Sequence, residues 1–193
     1  HHSLSALAEA LAQRGGRLIL RRGRAGVVVV DVARALTAEV HVLGRHEPWC
    51  VAQVEEVAAR APLTVHQGST LAPPETVLSG TGGRYRIFTP FWKKLLTLLP
   101  PERPLPVPAL TFADAALAAD RLDDWDLLPT HPDWSAGFAV WTPGEAGAVA
   151  RLAQFAEVVH AYGEGRNRPG EDGSSRLSPW LASPPPRGLP PVV

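Results

Sequence analysis

The segment RYRIFTPFWKKL, from Arg84 to Leu95, gathers four aromatic and four basic side chains around one Thr-Pro pair. Aromatic rings can stack on nucleic-acid bases while cations pair with phosphates, so the composition permits nucleic-acid binding. Aromatic residues at the start of a helix more often pack in a core, and that is the competing interpretation. Five arginines between Arg14 and Arg24 also permit phosphate contact, although such clusters are more often solvated edges.

Other reactive residue types lack the spacing that a site requires. The glycines of Gly80 to Gly83 are followed by no lysine, and the next helix starts too late to receive a phosphate. The seven histidines do not fall at metal-ligand spacing, and we expect His41 and His66 to be buried in strands. Cys50 has no neighbouring cue for an activating base, and no G-x-S-x-G elbow occurs. The sequence therefore predicts no metal site and no catalytic residues.

Composition limits the remaining possibilities. The 193 residues are 45% hydrophobic and 20% charged, which favours a globular chain over a disordered one. Nineteen basic and nineteen acidic residues cancel, so any affinity for nucleic acid must be local. A single cysteine excludes an internal disulfide framework. No apolar run reaches the ~20 residues of a membrane span, and we expect a cytoplasmic monomer that does not bind membranes.

The first half of the chain alternates helical and strand-like patterns. Helical spacing in LSALAEALAQR precedes the apolar run LILRRG, which we predict to be a strand. GVVVVDVARALTA is ambiguous because its valines favour a strand and DVARAL favours a helix, and we predict a helix. EVHVLG and LTVHQG are predicted strands on either side of the predicted helix PWCVAQVEEVAARA. Strands joined by such helices imply a parallel sheet in an α/β fold of the doubly wound, Rossmann-like type.

The second half of the chain changes character. In FTPFWKKLLTLL, Thr89 is the predicted helix cap, with Phe91, Leu95 and Leu98 on one face. We assign residues 1–98 to the α/β domain and 99–141 to a proline- and tryptophan-rich connector. Residues 142–181 are the next predicted segment, whose first helix carries a capping box formed by Thr142 and Glu145. Residues 182–193 are predicted to be a disordered tail.

Taken in order, several segments of the chain resemble the DNA photolyase and cryptochrome family. The resemblance runs from residue 1 to about Leu181, and YRIFTPFW and SRLSPWL are its most specific parts. The matching segments are HHSLSAL, LILRRG, RHEPW, the G-x-x-L of Gly68 to Leu71, GGRYRIFTPFWKKL, WTPGEAGAVARL, YGEGRNRPG and SSRLSPWL.

The resemblance implies a fold, a cofactor and a reaction. Family members join an N-terminal α/β domain, which often holds an antenna chromophore, to a helical domain that binds FAD, and the resemblance implies that residues 142–181 begin this helical domain. In photolyases the excited flavin passes an electron to a pyrimidine dimer in DNA, and the dimer splits. The family tyrosine near the flavin matches Tyr162. The run that wraps the FAD phosphates and ribityl chain matches Ser174, Ser175, Leu177 and Ser178, with serine replacing threonine at Ser174. These five residues are the predicted cofactor contacts.

Departures from the family pattern indicate a fragment. Family members begin with a strand and an arginine-rich motif that would precede His1, and they continue after SRLSPWL into the rest of the helical domain. We therefore expect an incomplete sheet, with LILRRG lacking a neighbour and EVHVLG at an open edge. The identity of the antenna is unknown, because Trp49 and Cys50 stand where some members bind a folate. Such a fragment is expected to lack repair activity and to bind FAD weakly or not at all.

Two other functions remain open at this level. The chain could be a fragment of a cryptochrome-like light sensor, since the residues that contact a DNA lesion lie outside it. It could also be a standalone nucleotide- or chromophore-binding α/β module, which would melt cooperatively and be stabilised by its ligand. A protein-interaction scaffold is disfavoured because the tail supplies no PxxP register.

Overall fold

The computed structural model describes residues 1–68, 70–100, 103, 106–113 and 115–181. The predicted tail, residues 182–193, lies outside these residues. The chain forms two compact units: one comprises residues 23–109, and the other comprises residues 1–22 together with the chain from residue 110 onward. The predicted domain boundaries at residues 98, 141 and 181 stay predictions.

The unit of residues 23–109 is a small α/β unit with helices and a two-stranded sheet. Its described elements follow the order α2 (Ala25–Leu36), β1 (Val40–Leu43), α3 (Pro48–Ala58), β2 (Leu63–His66) and α4 (Phe88–Leu96), with a 3₁₀ turn at Pro74–Thr76. The two strands are parallel and in register from Val40 opposite Leu63 to Leu43 opposite His66. The connection through α3 is the crossover that parallel strands need. The predicted α/β class with a small, incomplete parallel sheet is therefore confirmed.

The valine-rich segment forms the helix α2, one side of which is buried. Val30 is fully buried, and Ala33 one turn later is 5% exposed. α2 packs against α3 at Gly26, where an added Cβ would lie 2.5 Å from the Glu56 carboxyl group. Tertiary packing thus outweighs the β-propensity of the four valines.

Two predictions for this unit are wrong in detail. His41 and His66 are exposed rather than buried, and their rings stack with Nδ1 of His41 2.9 Å from Nε2 of His66. In the second case, α4 begins at Phe88 after an extended Ile87, so Thr89 is inside the helix and does not cap it. The predicted inward face is correct, since Leu95 is buried and Phe91 and Leu98 are half-buried.

The other unit begins with α1 (His2–Ala12) and continues with α5 (Glu145–Val158), α6 (Tyr162–Gly165) and α7 (Ser178–Leu181). Single 3₁₀ turns occur at Leu122–Trp125, Ser135–Phe138 and Val159–Ala161. The predicted strand LILRRG is not a strand: the Leu20 carbonyl accepts a bond from the Asp120 amide at 2.7 Å, and Leu20 is buried. The segment after residue 110 thus gives LILRRG a neighbour that the sequence did not predict.

The strongest predicted helix is present, but its predicted cap is not. α5 starts at Glu145 behind Gly144, whose φ of 86° places it in the left-handed region. No side chain caps the helix, so the Thr142–Glu145 capping box does not form. The backbone at Thr142 instead folds over the first turn, where a Cβ on Gly147 would lie 2.0 Å from the Thr142 carbonyl oxygen.

Candidate functional site

The centre of the candidate site is the guanidinium of Arg151, on α5. Its Nη1 and Nη2 donate to the two carboxylate oxygens of Asp172 at 2.8 and 2.7 Å. Nε donates to the Ser175 carbonyl at 2.8 Å, and Nη2 also donates to the Ser174 carbonyl at 2.7 Å. A planar guanidinium can hold a carboxylate and neighbouring carbonyls at once. One side chain therefore fastens the loop of residues 172–178, called here the serine loop, to α5.

Charge at the site centres on Asp172. The hydrogen bond from Arg151 is the main reason that the pKa of Asp172 lies below its ordinary value, and the charges of Arg151 and Arg176 act in the same direction. Arg176 Nε lies 3.0 Å from the same carboxylate. Two cations around one carboxylate leave a local excess of positive charge, which suits an anionic ligand.

A contact between two glycines holds the other side of the serine loop. The backbone of Gly173 lies so close to Gly165, the last residue of α6, that a Cβ on Gly173 would be 2.4 Å from the Gly165 carbonyl carbon and oxygen. Only glycine fits at this distance. The contact places Tyr162, one helical turn earlier in α6, near the serine loop.

Aromatic side chains form the wall of an adjoining open cleft of about 400 Å³. The Trp141 and Trp180 rings meet edge-to-face at 5.2 Å, and the Trp180 indole N–H donates to the Thr142 carbonyl at 3.0 Å. Arg151, Asp172 and Arg176 also line this cleft. The cleft thus offers apolar surface beside charged groups, as small-molecule sites generally do.

The structure gathers the predicted cofactor residues around these features. Tyr162 is 41% exposed, its ring meets Phe155 edge-to-face at 5.9 Å, and the Arg166 guanidinium lies 5.6 Å from its centroid. Ser174, Ser175 and Leu177 are half-buried in the serine loop, and Ser178 is exposed at the start of α7.

The hydroxyls of the three predicted serines are available for a ligand. The Ser174 and Ser175 carbonyls accept bonds from Arg151, while no hydroxyl of Ser174, Ser175 or Ser178 bonds to another residue within the described ranges. Hydroxyls are suitable donors for phosphate or ribityl oxygens. The residues present therefore fit a phosphate-bearing cofactor.

Sequence reasoning missed the residues that organise this site. Arg151, Asp172 and Gly173 attract no attention in the sequence, because their roles depend on contacts between separated positions: Arg151 bonds to Asp172, and Gly173 lies against Gly165. The weak signal available was a single arginine within the apolar pattern of α5.

The described residues contain neither a metal-binding cluster nor a membrane-spanning helix. No group of three or more histidine, cysteine, aspartate or glutamate side chains is placed to hold a metal ion. Among the same residues, no helix is both long and apolar enough to cross a lipid bilayer.

Comparison with known proteins points to one family. The sequence profile described as DNA photolyase matches residues 1–109. The chain is 36% identical over 192 residues to a deoxyribodipyrimidine photo-lyase of Agrobacterium fabrum, covering 95% of this chain. It is 30% identical over 188 residues to a protein of the same name from Thermus thermophilus, covering 93% of this chain.

A solved structure agrees with the computed one. The crystal structure of a bacterial class III photolyase from Agrobacterium tumefaciens matches 94% of this chain with a TM-score of 0.86 and 35% identity. The chain spans about two fifths of these proteins: 40% of the Agrobacterium fabrum relative, and 39% of both the Thermus protein and the solved chain.

Proposed function

Because the chain belongs to the DNA photolyase family, we propose that it contributes to the light-driven repair of pyrimidine dimers in DNA without repairing them by itself. The Agrobacterium fabrum and Thermus thermophilus relatives, which align with almost the whole of this chain, are both named deoxyribodipyrimidine photo-lyase. The resemblance in fold to a class III photolyase favours that branch of the family. A cytoplasmic location and a monomeric state are part of the same proposal.

We further propose that the serine loop and α6 contribute to an FAD site. Ser174, Ser175 and Ser178 would donate hydroxyl hydrogen bonds to the phosphates and ribityl chain, with Leu177 packing beside them, and Tyr162 would lie near the flavin ring. The flavin, when bound, supplies the photochemical electron transfer. The hydroxyls of the three serines, which bond to no other residue in the described part of the chain, support this assignment.

Arg151 acts in this proposal as a positioning residue rather than a ligand. Its four hydrogen bonds are all directed at Asp172 and at the carbonyls of Ser174 and Ser175. They fix the backbone from which the hydroxyls project. Arg176 retains a 48% exposed side chain and can pair with a phosphate of the cofactor.

Titration of the purified chain with FAD tests the assignment. We expect weak but saturable quenching of flavin fluorescence, and weaker binding in the Ser174→Ala, Ser175→Ala double variant because two donors are lost. Riboflavin should bind less well than FAD, since it lacks the phosphates. Ser135→Ala, in the 3₁₀ turn Ser135–Phe138 and outside the serine loop, is the matched control.

The possible results distinguish whether the chain binds FAD from whether FAD binds at the serine loop. Saturable binding that the double variant leaves unchanged would show that FAD binds elsewhere on the chain. Failure of every variant and of the unaltered chain to bind FAD would contradict the cofactor site.

A further inference from the structure

Helix α4 carries a second apolar face that its own unit does not cover. Leu95 is buried, yet Phe88, Trp92 and Leu96, spaced four residues apart on another face, are 71%, 40% and 48% exposed. Ile87, immediately before the helix, is 68% exposed. Contiguous exposed apolar surface of this kind generally marks an interaction site.

The two exposed rings on this face form a platform. Phe88 and Trp92 are nearly parallel, with an interplanar angle of 11° and centroids 6.2 Å apart. Burial normally stabilises an aromatic pair. Two nearly parallel rings that remain exposed are therefore available to stack on another flat ring system.

Basic residues that lack acidic neighbours in the sequence lie on both sides of the platform residues along the chain. Arg84, Arg86, Lys93 and Lys94 fall in a stretch without any acidic residue between Glu75 and Glu102, although the whole chain has no net charge. None of these four side chains makes an ion pair with a residue in the described part of the chain. The charge is therefore available to an anionic partner.

We propose that this surface binds single-stranded nucleic acid. The aromatic–basic surface, defined by Arg84, Arg86, Phe88, Trp92, Lys93 and Lys94, supplies both components that such binding uses: rings on which bases stack and cations for the phosphates. An acidic peptide would satisfy the cations but leave the ring platform without a flat partner. This inference rests on α4 and its flanks and is independent of the FAD site.

Fluorescence anisotropy of a labelled oligothymidylate of about 12 nucleotides tests the proposal on the full chain. We expect Trp92→Leu to weaken binding about tenfold, since it removes a stacking ring and keeps an apolar side chain. The logarithm of the affinity should fall with the logarithm of salt concentration with a slope of about −3, as four phosphate contacts to a single strand predict. Lys93→Gln should reduce that slope by about 0.7.

The chain offers a matched control for the aromatic substitution. Trp134 is 63% exposed and lies 5.8 Å from the Phe138 ring, but the segment between Ser135 and Trp141 carries no charge. Trp134→Leu should leave the affinity for the oligonucleotide unchanged. Thermal melts of both variants establish that each is folded.

Four results would overturn the proposal. The first is absence of binding at low salt, and the second is an equal effect of the Trp92 and Trp134 substitutions. The third is displacement of the oligonucleotide by polyglutamate as effectively as by unlabelled oligonucleotide, which would assign the surface to an acidic protein. Tighter binding to duplex DNA, unaffected by Trp92→Leu, would likewise exclude stacking.

Discussion

Replacing Arg151 by glutamine should release the serine loop. Arg151 is only 16% exposed on its side chain and makes its bonds to the Ser174 and Ser175 carbonyls in partly buried surroundings. Each of these charge-assisted bonds contributes about 1 kcal/mol after allowance for partial exposure. Asp172 is half-exposed, so its ion pair adds little. The total of about 2 kcal/mol corresponds to a roughly 30-fold larger open population of the loop.

Limited proteolysis with trypsin can measure this population, because Arg176 lies inside the serine loop. Cleavage after Arg176 requires local opening, and its rate follows the open population when reclosing is fast. Cleavage after Arg166, which Arg151 does not contact, provides the internal reference. We expect the ratio of the two cleavages to rise about 30-fold in Arg151→Gln and less in Arg151→Lys, since lysine keeps the charge but not the fork.

Arg168→Gln serves as the control for the proteolysis of Arg151→Gln. Arg168 is an exposed arginine that pairs only with the exposed Glu164 and Glu171 within the described ranges, so Arg168→Gln should leave the cleavage ratio unchanged. A ratio in Arg151→Gln within about twofold of the unaltered chain would mean that the four bonds do not hold the loop. The measurement needs no FAD, so it tests the role of Arg151 whether or not the chain binds the cofactor.

Two further predictions concern the same loop. Gly173→Ala would place a Cβ 2.4 Å from the Gly165 carbonyl and should lower the free energy of unfolding by about 1–3 kcal/mol in thermal melts, whereas Gly170→Ala, in open space, should be neutral. In NMR titrations the Asp172 carboxyl should titrate below its ordinary value and return towards it in Arg151→Gln. Because that pKa is lowered by folding, the contribution to stability is complete above the ordinary value and is lost as pH falls through the lowered pKa. An unshifted Asp172, or an unaltered melt for Gly173→Ala, would contradict the described packing.

The sequence predicted the strands and the crossover helix of the α/β unit because the hydrophobic pattern within each segment indicates its secondary structure. The crossover helix between EVHVLG and LTVHQG requires a parallel pair, and the structure has one. LILRRG has the same apolar character but forms no strand, since its hydrogen-bonding partner at Asp120 lies about a hundred residues away. A hydrophobic pattern in the sequence indicates that a segment is buried, but it does not identify the other segment that packs over it.

The candidate site also depends on contacts that a local sequence pattern does not identify. Resemblance to the family suggested the five predicted cofactor residues, because they fall in two short sequence motifs, one with Tyr162 and one with Ser174 to Ser178. What orders them is a guanidinium on α5 and a glycine contact with α6, and neither is a contiguous motif. The aromatic–basic surface is the opposite case: its composition is evident in the sequence, but only the structure separates the buried Leu95 from the exposed Phe88 and Trp92. The side of α4 that each ring occupies, rather than the number of rings, therefore makes this surface available for binding.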